Sequence, residues 1–158
     1  MALYFSGMEG HEFYMERSIQ LGKKALASGN PPVGSVIVQE GRIIGEGMES
    51  VKESGDVTRH AEIEAVRDAV RRGFSEKLRG SVLYTTHEPC IMCSYVIRHH
   101  GIDHIIYGVA VAYVGGDTSF FDVLATDRVP QWGGKPKITA GICREECEQL
   151  NREFRNRK

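Results

Sequence analysis

The sequence has no apolar run long enough to span a bilayer, no surplus of either charge and no cysteine framework, and each absence removes a class of protein. Its longest apolar stretch, "IIYGVAVAYV" from Ile105 to Val114, contains a glycine and falls far short of the roughly 20 residues a membrane helix needs, so no membrane association is expected. The formal net charge is −1 over 158 residues, without the general basic excess that holds nucleic acid irrespective of sequence. Four cysteines do not make a disulfide scaffold in a chain of this size. The N-terminal "MALYFSGMEGHEF" lacks a basic leader and is interrupted by Ser6 and Gly7, which argues against a signal peptide and for a cytoplasmic protein. No repeat, low-complexity tract or linker divides the chain, and its 41% hydrophobic content suffices for one core, so a single domain is expected over residues 1–158.

The periodicities supply an order of elements. Met15, Ile19, Gly22 and Leu26 fall at helical spacing within residues 11–28, and "SGNPP" ends that helix with breakers. "VGSVIVQ" and "RIIGEGM" read as strands joined by the short turn Glu40-Gly41, and "ESVKESGD" as a polar loop. A helix from about Thr58 has Ile63, Val66 and Val70 on one side. "SVLYTT", "CIMCSYVIRHH" and "DHIIYGVA" predict strand, buried helix and strand in a parallel crossover. "GGDTSFFDVLATD" reads as a glycine turn with a short helix, "KPKITAG" as a last strand, and "CREECEQLNREFRNRK" as a last helix with its stripe at Cys143, Cys147, Leu150 and Phe154. The expected fold is α/β, a three-layer α-β-α sandwich around a five-stranded mixed sheet.

The chemistry concentrates in two short stretches. In "EPCIMC" a proline precedes Cys90 and Cys93 at a helix start, where the positive end of the helix dipole lowers thiol pKa values. Thiols at i and i+3 suit two ligands of a tetrahedral zinc, although C-x-x-C beside a βαβ unit also suits a redox pair. A third ligand decides between these, and in "TRHAEIEAV" His60 also stands at a helix front. Three protein ligands leave one coordination position open, the mark of a catalytic zinc rather than a structural one. Glu62 is poorly placed to be a ligand alongside His60, because residues two apart do not share a helix face. It can instead take a proton from an attacking water and pass it to a leaving nitrogen.

"HAE" followed by "PCIMC" resembles the H-x-E and P-C-x-x-C pattern of the zinc-dependent nucleobase deaminases of the cytidine deaminase superfamily. "PPVGSVIV", "GRIIGEG", "HAEIEAVRDAV", "LYTTHEPCIMC", "SFFDVL" and "ITAGICREECEQL" extend the likeness over most of the chain, toward the bacterial tRNA adenosine deaminases, guanine deaminases and fungal cytosine deaminases. The resemblance implies a cytidine deaminase-like fold and hydrolytic deamination with release of ammonia. It assigns Zn2+ to His60, Cys90 and Cys93, the proton shuttle to Glu62, and no organic cofactor. It also implies a homodimer formed through the helices that carry the zinc ligands.

Six further residues are candidates for substrate contact. His87 precedes the cysteine motif in a loop expected to rim the pocket, and Phe120 and Phe121 could stack on a flat ring or belong to the core. In the proteins this chain resembles, an asparagine after a "GEG"-like stretch binds the base. Here Glu49 falls at that position, with Asn30 in a neighbouring loop. Tyr95 stands where a small residue is common and could narrow the pocket. An ionised Glu49 accepts hydrogen bonds without donating any, which favours an edge rich in N–H groups. With the near-neutral charge and "GDVTRHAE" in place of "DPTAHAE", this predicts a free guanine-like base, pterin or triazine as substrate in preference to tRNA adenosine. Cytosine or a non-catalytic zinc-stabilised module ranks lower. The basic tail "REFRNRK" counts slightly the other way.

Overall fold

The computed structural model describes residues 8–157, so the expectation drawn from the first residues rests largely on positions outside that range. A helix α1 (Met8–Ala27) leads into an antiparallel hairpin, β1 (Gly34–Gln39) and β2 (Arg42–Met48). Its two-residue turn places both Glu40 and Gly41 at positive φ, 51 and 71°, the pair of values a type I′ turn requires. One helical turn, α2 (Val51–Ser54), then precedes α3 (Ala61–Arg71). Next come β3 (Val82–His87), α4 (Ile91–His100), β4 (His104–Val109), β5 (Lys137–Ala140) and α5 (Arg144–Asn156).

The five strands form one mixed sheet in the order β2-β1-β3-β4-β5, with β1 antiparallel to both neighbours and β3, β4 and β5 parallel. Alternation along the strands divides the core. Val36, Val38, Tyr84 and Ile106 pack with α1 and α5 on one face, while Ile37, Leu83, Ile105 and Tyr107 pack with α3 and α4 on the other. The three layers and the five-stranded mixed sheet are those the sequence predicts. Among the described residues no helix is long and apolar enough to cross a membrane.

Three local expectations are corrected. Val70 is 44% exposed, and the innermost face of α3 is instead Ala61, Ala65 and Ala69, all fully buried. The reason lies in β2, where any Cβ at Gly45 or Gly47 would overlap the α3 backbone, so the glycines let that helix rest on the strand through its alanines. "ESVKESGD" contains the single turn α2, gripped by Asn30, whose Oδ1 accepts from the Glu53 N–H at 3.0 Å and whose Nδ2 donates to the Glu53 carboxylate at 3.3 Å. The segment 115–127 contains turns in place of a helix. Its backbone is drawn around the Glu88 carboxylate, and Leu124, fully buried, ties back through its N–H to the Gly116 carbonyl at 3.0 Å.

Candidate active site

Two helices aim their N-termini at one point. His60 is the N-cap residue of α3 and Cys90 that of α4, both with extended backbones, and Cys93 lies one turn into α4. Pro89 precedes the cap, where a residue without a free N–H sacrifices no helix hydrogen bond. The donor atoms converge: Cys90 Sγ is 3.5 Å from His60 Nδ1, Cys93 Sγ is 3.6 Å from the same nitrogen, and the two sulfurs are 3.7 Å apart. A tetrahedral zinc with ordinary bond lengths requires edges of about 3.6 Å for S···N and about 3.8 Å for S···S. The three residues therefore already stand at the separations one ion imposes, and their mixed thiolate and imidazole chemistry is that of zinc.

The cluster also holds one of its ligands ready as a thiolate. The Cys93 thiol and, behind it, the His60 ring hold Cys90 down to about 4, so Cys90 is a thiolate at neutral pH. Cys90 in turn lifts the His60 imidazole to about 9, and Cys90 together with burial raises the Cys93 thiol. Among the described residues Cys143 and Cys147 join no such group of metal-ligating side chains, and burial pushes them up to about 11 and about 12, as thiols of the α5 stripe.

Glu62 is buried beside this trio, with Oε2 3.4 Å from Cys93 Sγ. Its other oxygen accepts from the Thr85 hydroxyl at 2.8 Å, and that hydroxyl is itself held by Ser35 Oγ at 2.8 Å. Burial raises the Glu62 pKa, and the contact with Thr85 opposes the shift. Neither Ser35 nor Thr85 is singled out by the sequence, although both are small hydroxyl residues on central strands at positions where an apolar side chain is the ordinary choice.

A cavity of ≈ 270 Å³ opens over the cluster, walled by Pro31, Val33, Val111 and Val114 and bearing the polar groups of Glu49, His60, Glu62 and His87. Glu49 and His87 thus come to the site. Glu49 is buried, accepts from the Ala61 N–H, and is raised by that burial to about 7. His87 is paired through Nε2 with Asn151 Oδ1 at 2.7 Å, and burial lowers its pKa. The other four candidates do not come to it. Asn30 is occupied with Glu53. Tyr95 is 53% exposed on the outer side of α4 against His99 and Trp132, so it does not narrow the pocket. Phe120 and Phe121 stand against each other at the surface, 92% and 52% exposed, and the turn they occupy does not carry them into the cavity.

Glu88, also unanticipated, organises the rim. Its carboxylate, 2% exposed, accepts from the N–H groups of Val111, Asp117 and Thr118 at 2.8, 2.9 and 2.6 Å, and from the Thr118 hydroxyl. Buried carboxylates are stable when hydrogen bonds replace water, and here they fix the segment bearing Val111 and Val114 against the cavity.

Ligands on two helix fronts, a carboxylate wedged next to them and a cavity above, all carried by a three-layer mixed sheet, describe the zinc-dependent hydrolytic deaminases of the cytidine deaminase superfamily. Residues 8–109 match the cytidine and deoxycytidylate deaminase zinc-binding region, and the chain belongs to that family. It is 40% identical over 115 residues to the tRNA-specific adenosine deaminase of Aquifex aeolicus, covering 73% of this chain and 76% of that protein. With the tRNA-specific adenosine deaminase of Streptococcus pyogenes it shares 30% identity over 147 residues, 93% of this chain and 91% of the other. A solved structure from work on A-to-I editing by tRNA:A34 deaminases at the wobble position of transfer RNA superposes with a TM-score of 0.79 at 30% identity, covering 87% of this chain and 98% of that one.

These relatives overturn the preference for a free guanine-like base, pterin or triazine. The physical grounds for that preference also fail. Tyr95 faces outward and leaves the pocket unaltered. A Glu49 carboxyl raised to about 7 is not fixed as an acceptor, since its protonated form donates and accepts as an amide does. Net charge averages over the whole surface and does not describe a local contact.

Zinc dependence gives a direct measurement. Replacing Cys90 with serine is expected to reduce bound zinc from one ion per chain to below about a tenth at micromolar metal, since a neutral hydroxyl substitutes poorly for a thiolate. Elemental analysis after dialysis reads this, and full occupancy in the variant would remove Cys90 from the ligand set.

Proposed function

We propose that the enzyme converts adenosine to inosine in a transfer RNA by hydrolysis, with His60, Cys90 and Cys93 holding the zinc and Glu62 moving the proton. The observation that carries this reading is the identity with tRNA-specific adenosine deaminases, 40% over 115 residues with one and 30% over 147 residues with another. The cavity supports it in kind. Apolar walls from Pro31, Val33, Val111 and Val114 suit the two faces of a flat base, and the polar groups cluster where its edge would lie. Zinc, when bound, supplies a nucleophilic water at neutral pH.

The chain's own residues do the rest. Thr85 holds one oxygen of Glu62, leaving Oε2 toward the ligand cluster to receive a proton from the attacking water and return it to the leaving nitrogen. One water is consumed, the exocyclic C–N bond breaks, a C–O bond forms, and ammonia departs. The walls exclude other water from the ring. Outside the cavity, the face of α4 that exposes Tyr95 beside the partly buried Ile91, Met92 and Val96 supports a homodimer through this helix. A tRNA substrate goes with a cytoplasmic location.

The test is inosine formation. Purified enzyme is expected to produce inosine in a tRNA with adenosine at the wobble position and in its anticodon stem-loop, with binding that weakens steeply as salt rises. Free adenosine, guanine and cytosine are expected to release little ammonia. Turnover of a free base with none of the RNA would overturn the reading. Light scattering on the same preparation reads the mass, and a monomer at assay concentration would remove the dimer.

A further inference from the structure

The contact between His87 and Asn151 joins the end of β3 to the middle of α5, 64 residues apart in sequence. Helix α5 contributes nothing to the lining of the cavity, whereas His87 does. Asn151, half-buried, follows the buried Leu150 on the inner side of α5, between the buried Cys147 and the partly buried Phe154, where an amide is costly unless its hydrogen bonds are met. Its Oδ1 meets one ring nitrogen of His87 at 2.7 Å, a good hydrogen-bond length.

That contact fixes more than a position. An amide oxygen can only accept, so Nε2 of His87 must carry a proton. Burial holds the imidazole pKa below its ordinary value, so the ring is neutral near pH 7 and has only that one N–H. Nδ1 is then a bare lone pair, with no hydrogen-bond partner among the described residues, on a ring that borders the cavity.

We propose that Asn151 is a positioning residue of the active pocket: by accepting the Nε2 proton it presents His87 Nδ1 as an acceptor, which takes a hydrogen bond from a hydroxyl or N–H of the bound nucleoside. The proposal deepens the reading of this cavity as the site of nucleoside deamination and rests on it. Asn151 does not touch the substrate and works entirely through the tautomer and orientation of His87. Leucine at 151 would preserve bulk and remove the acceptor, freeing the ring to rotate or to place its proton on Nδ1. Aspartate would keep an acceptor at the same place.

The experiment uses the full-length, zinc-loaded protein. Long-range 15N–1H spectra of the wild type should show His87 protonated on Nε2 and bare at Nδ1, and Asn151→Leu should populate the other tautomer. On the tRNA stem-loop, Asn151→Leu should raise KM about ten-fold with kcat within about three-fold, the scale of one lost neutral hydrogen bond. Asn151→Asp, assayed at pH 8 so that the imidazole stays neutral, should recover most of that loss. The double variant His87→Leu/Asn151→Leu should be no worse than His87→Leu alone, because Asn151 has no route to the substrate except through His87. A wild-type ring protonated on Nδ1 overturns the proposal, as do unchanged KM in Asn151→Leu or additive losses in the double variant. The spectra need no substrate and no variant, so they decide the tautomer even if Asn151→Leu folds poorly. Failure of the wild type to deaminate RNA would count against the tRNA reading instead.

Discussion

Glu62→Gln is expected to retain zinc and fold while kcat/KM falls by about 10²–10⁴, the range a general acid-base group contributes. The glutamine amide fills the same space and can still take the Thr85 hydrogen bond through its oxygen, so the hydroxyl pair of Ser35 and Thr85 survives. What disappears is the capacity of Oε2, 3.4 Å from the Cys93 sulfur, to receive a proton and give it back. The measurement is a paired one, with metal content and thermal unfolding alongside turnover. A variant within about three-fold of the wild type, with zinc in place, would exclude Glu62 as the proton carrier.

Gly47→Ala should be equally severe by a different route, and without touching any ligand. A Cβ at this strand residue would overlap the Ala61 carbonyl oxygen and the Ala65 nitrogen and would sit 2.8 Å from the Glu64 carbonyl carbon. All three are helix backbone, which cannot rotate aside as a flexible side chain can. Overpacking a core with one methyl ordinarily costs about 1–3 kcal/mol, and a rigid obstacle places this change at or above the top of that range. For a chain of this length that corresponds to a fall in Tm of roughly 6 °C or more. Because the displaced end of α3 carries His60 and Glu62, zinc retention should drop with stability. Unchanged melting and unchanged metal content would show that β2 and α3 separate more readily than their packing implies.

The contrast between these two residues shows what a sequence makes legible. That His60, Glu62, Cys90 and Cys93 meet at one point could be read because metal ligation admits few residue types, and because both stretches stand at helix fronts that breakers and apolar periodicity mark out. The strands could be read for a similar reason: Val36 to Val38 and Leu83 to Tyr84 alternate between two buried faces. Glu88 could not, since its partners are backbone amides more than twenty residues away, and an amide leaves no trace in a residue type. Of Ile63, Val66 and Val70 on α3, the first two are buried and Val70 is not, and the alanines of the innermost face go unread because alanine carries little hydropathic signal and their role depends on glycines in another element. Tyr95, Phe120 and Phe121 illustrate the remaining gap. An aromatic side chain near a site in sequence carries no statement of which way it points. The substrate was misjudged for a related reason, as the charge on Glu49 was read from its type, whereas burial sets it.

The way Glu88 holds its loop has a consequence for how such a pocket can change. Three of its bonds go to main-chain N–H groups, which every residue except proline possesses, and only Thr118 adds a side chain. The course of residues 111–118 is thus held from outside the loop, by Glu88 and by the Ile91 N–H and Pro89 carbonyl that pair with Val114 and Gly116, and it constrains the loop's own spelling chiefly at Gly115 and Gly116, where a Cβ would overlap Glu88 and Ser94. Val111 and Val114, which face the cavity, can be exchanged one at a time while the path beneath them persists. A wall built this way can be re-lettered for a new occupant without being rebuilt, and the cluster of His60, Glu62, Cys90 and Cys93 beneath it need not participate in the change.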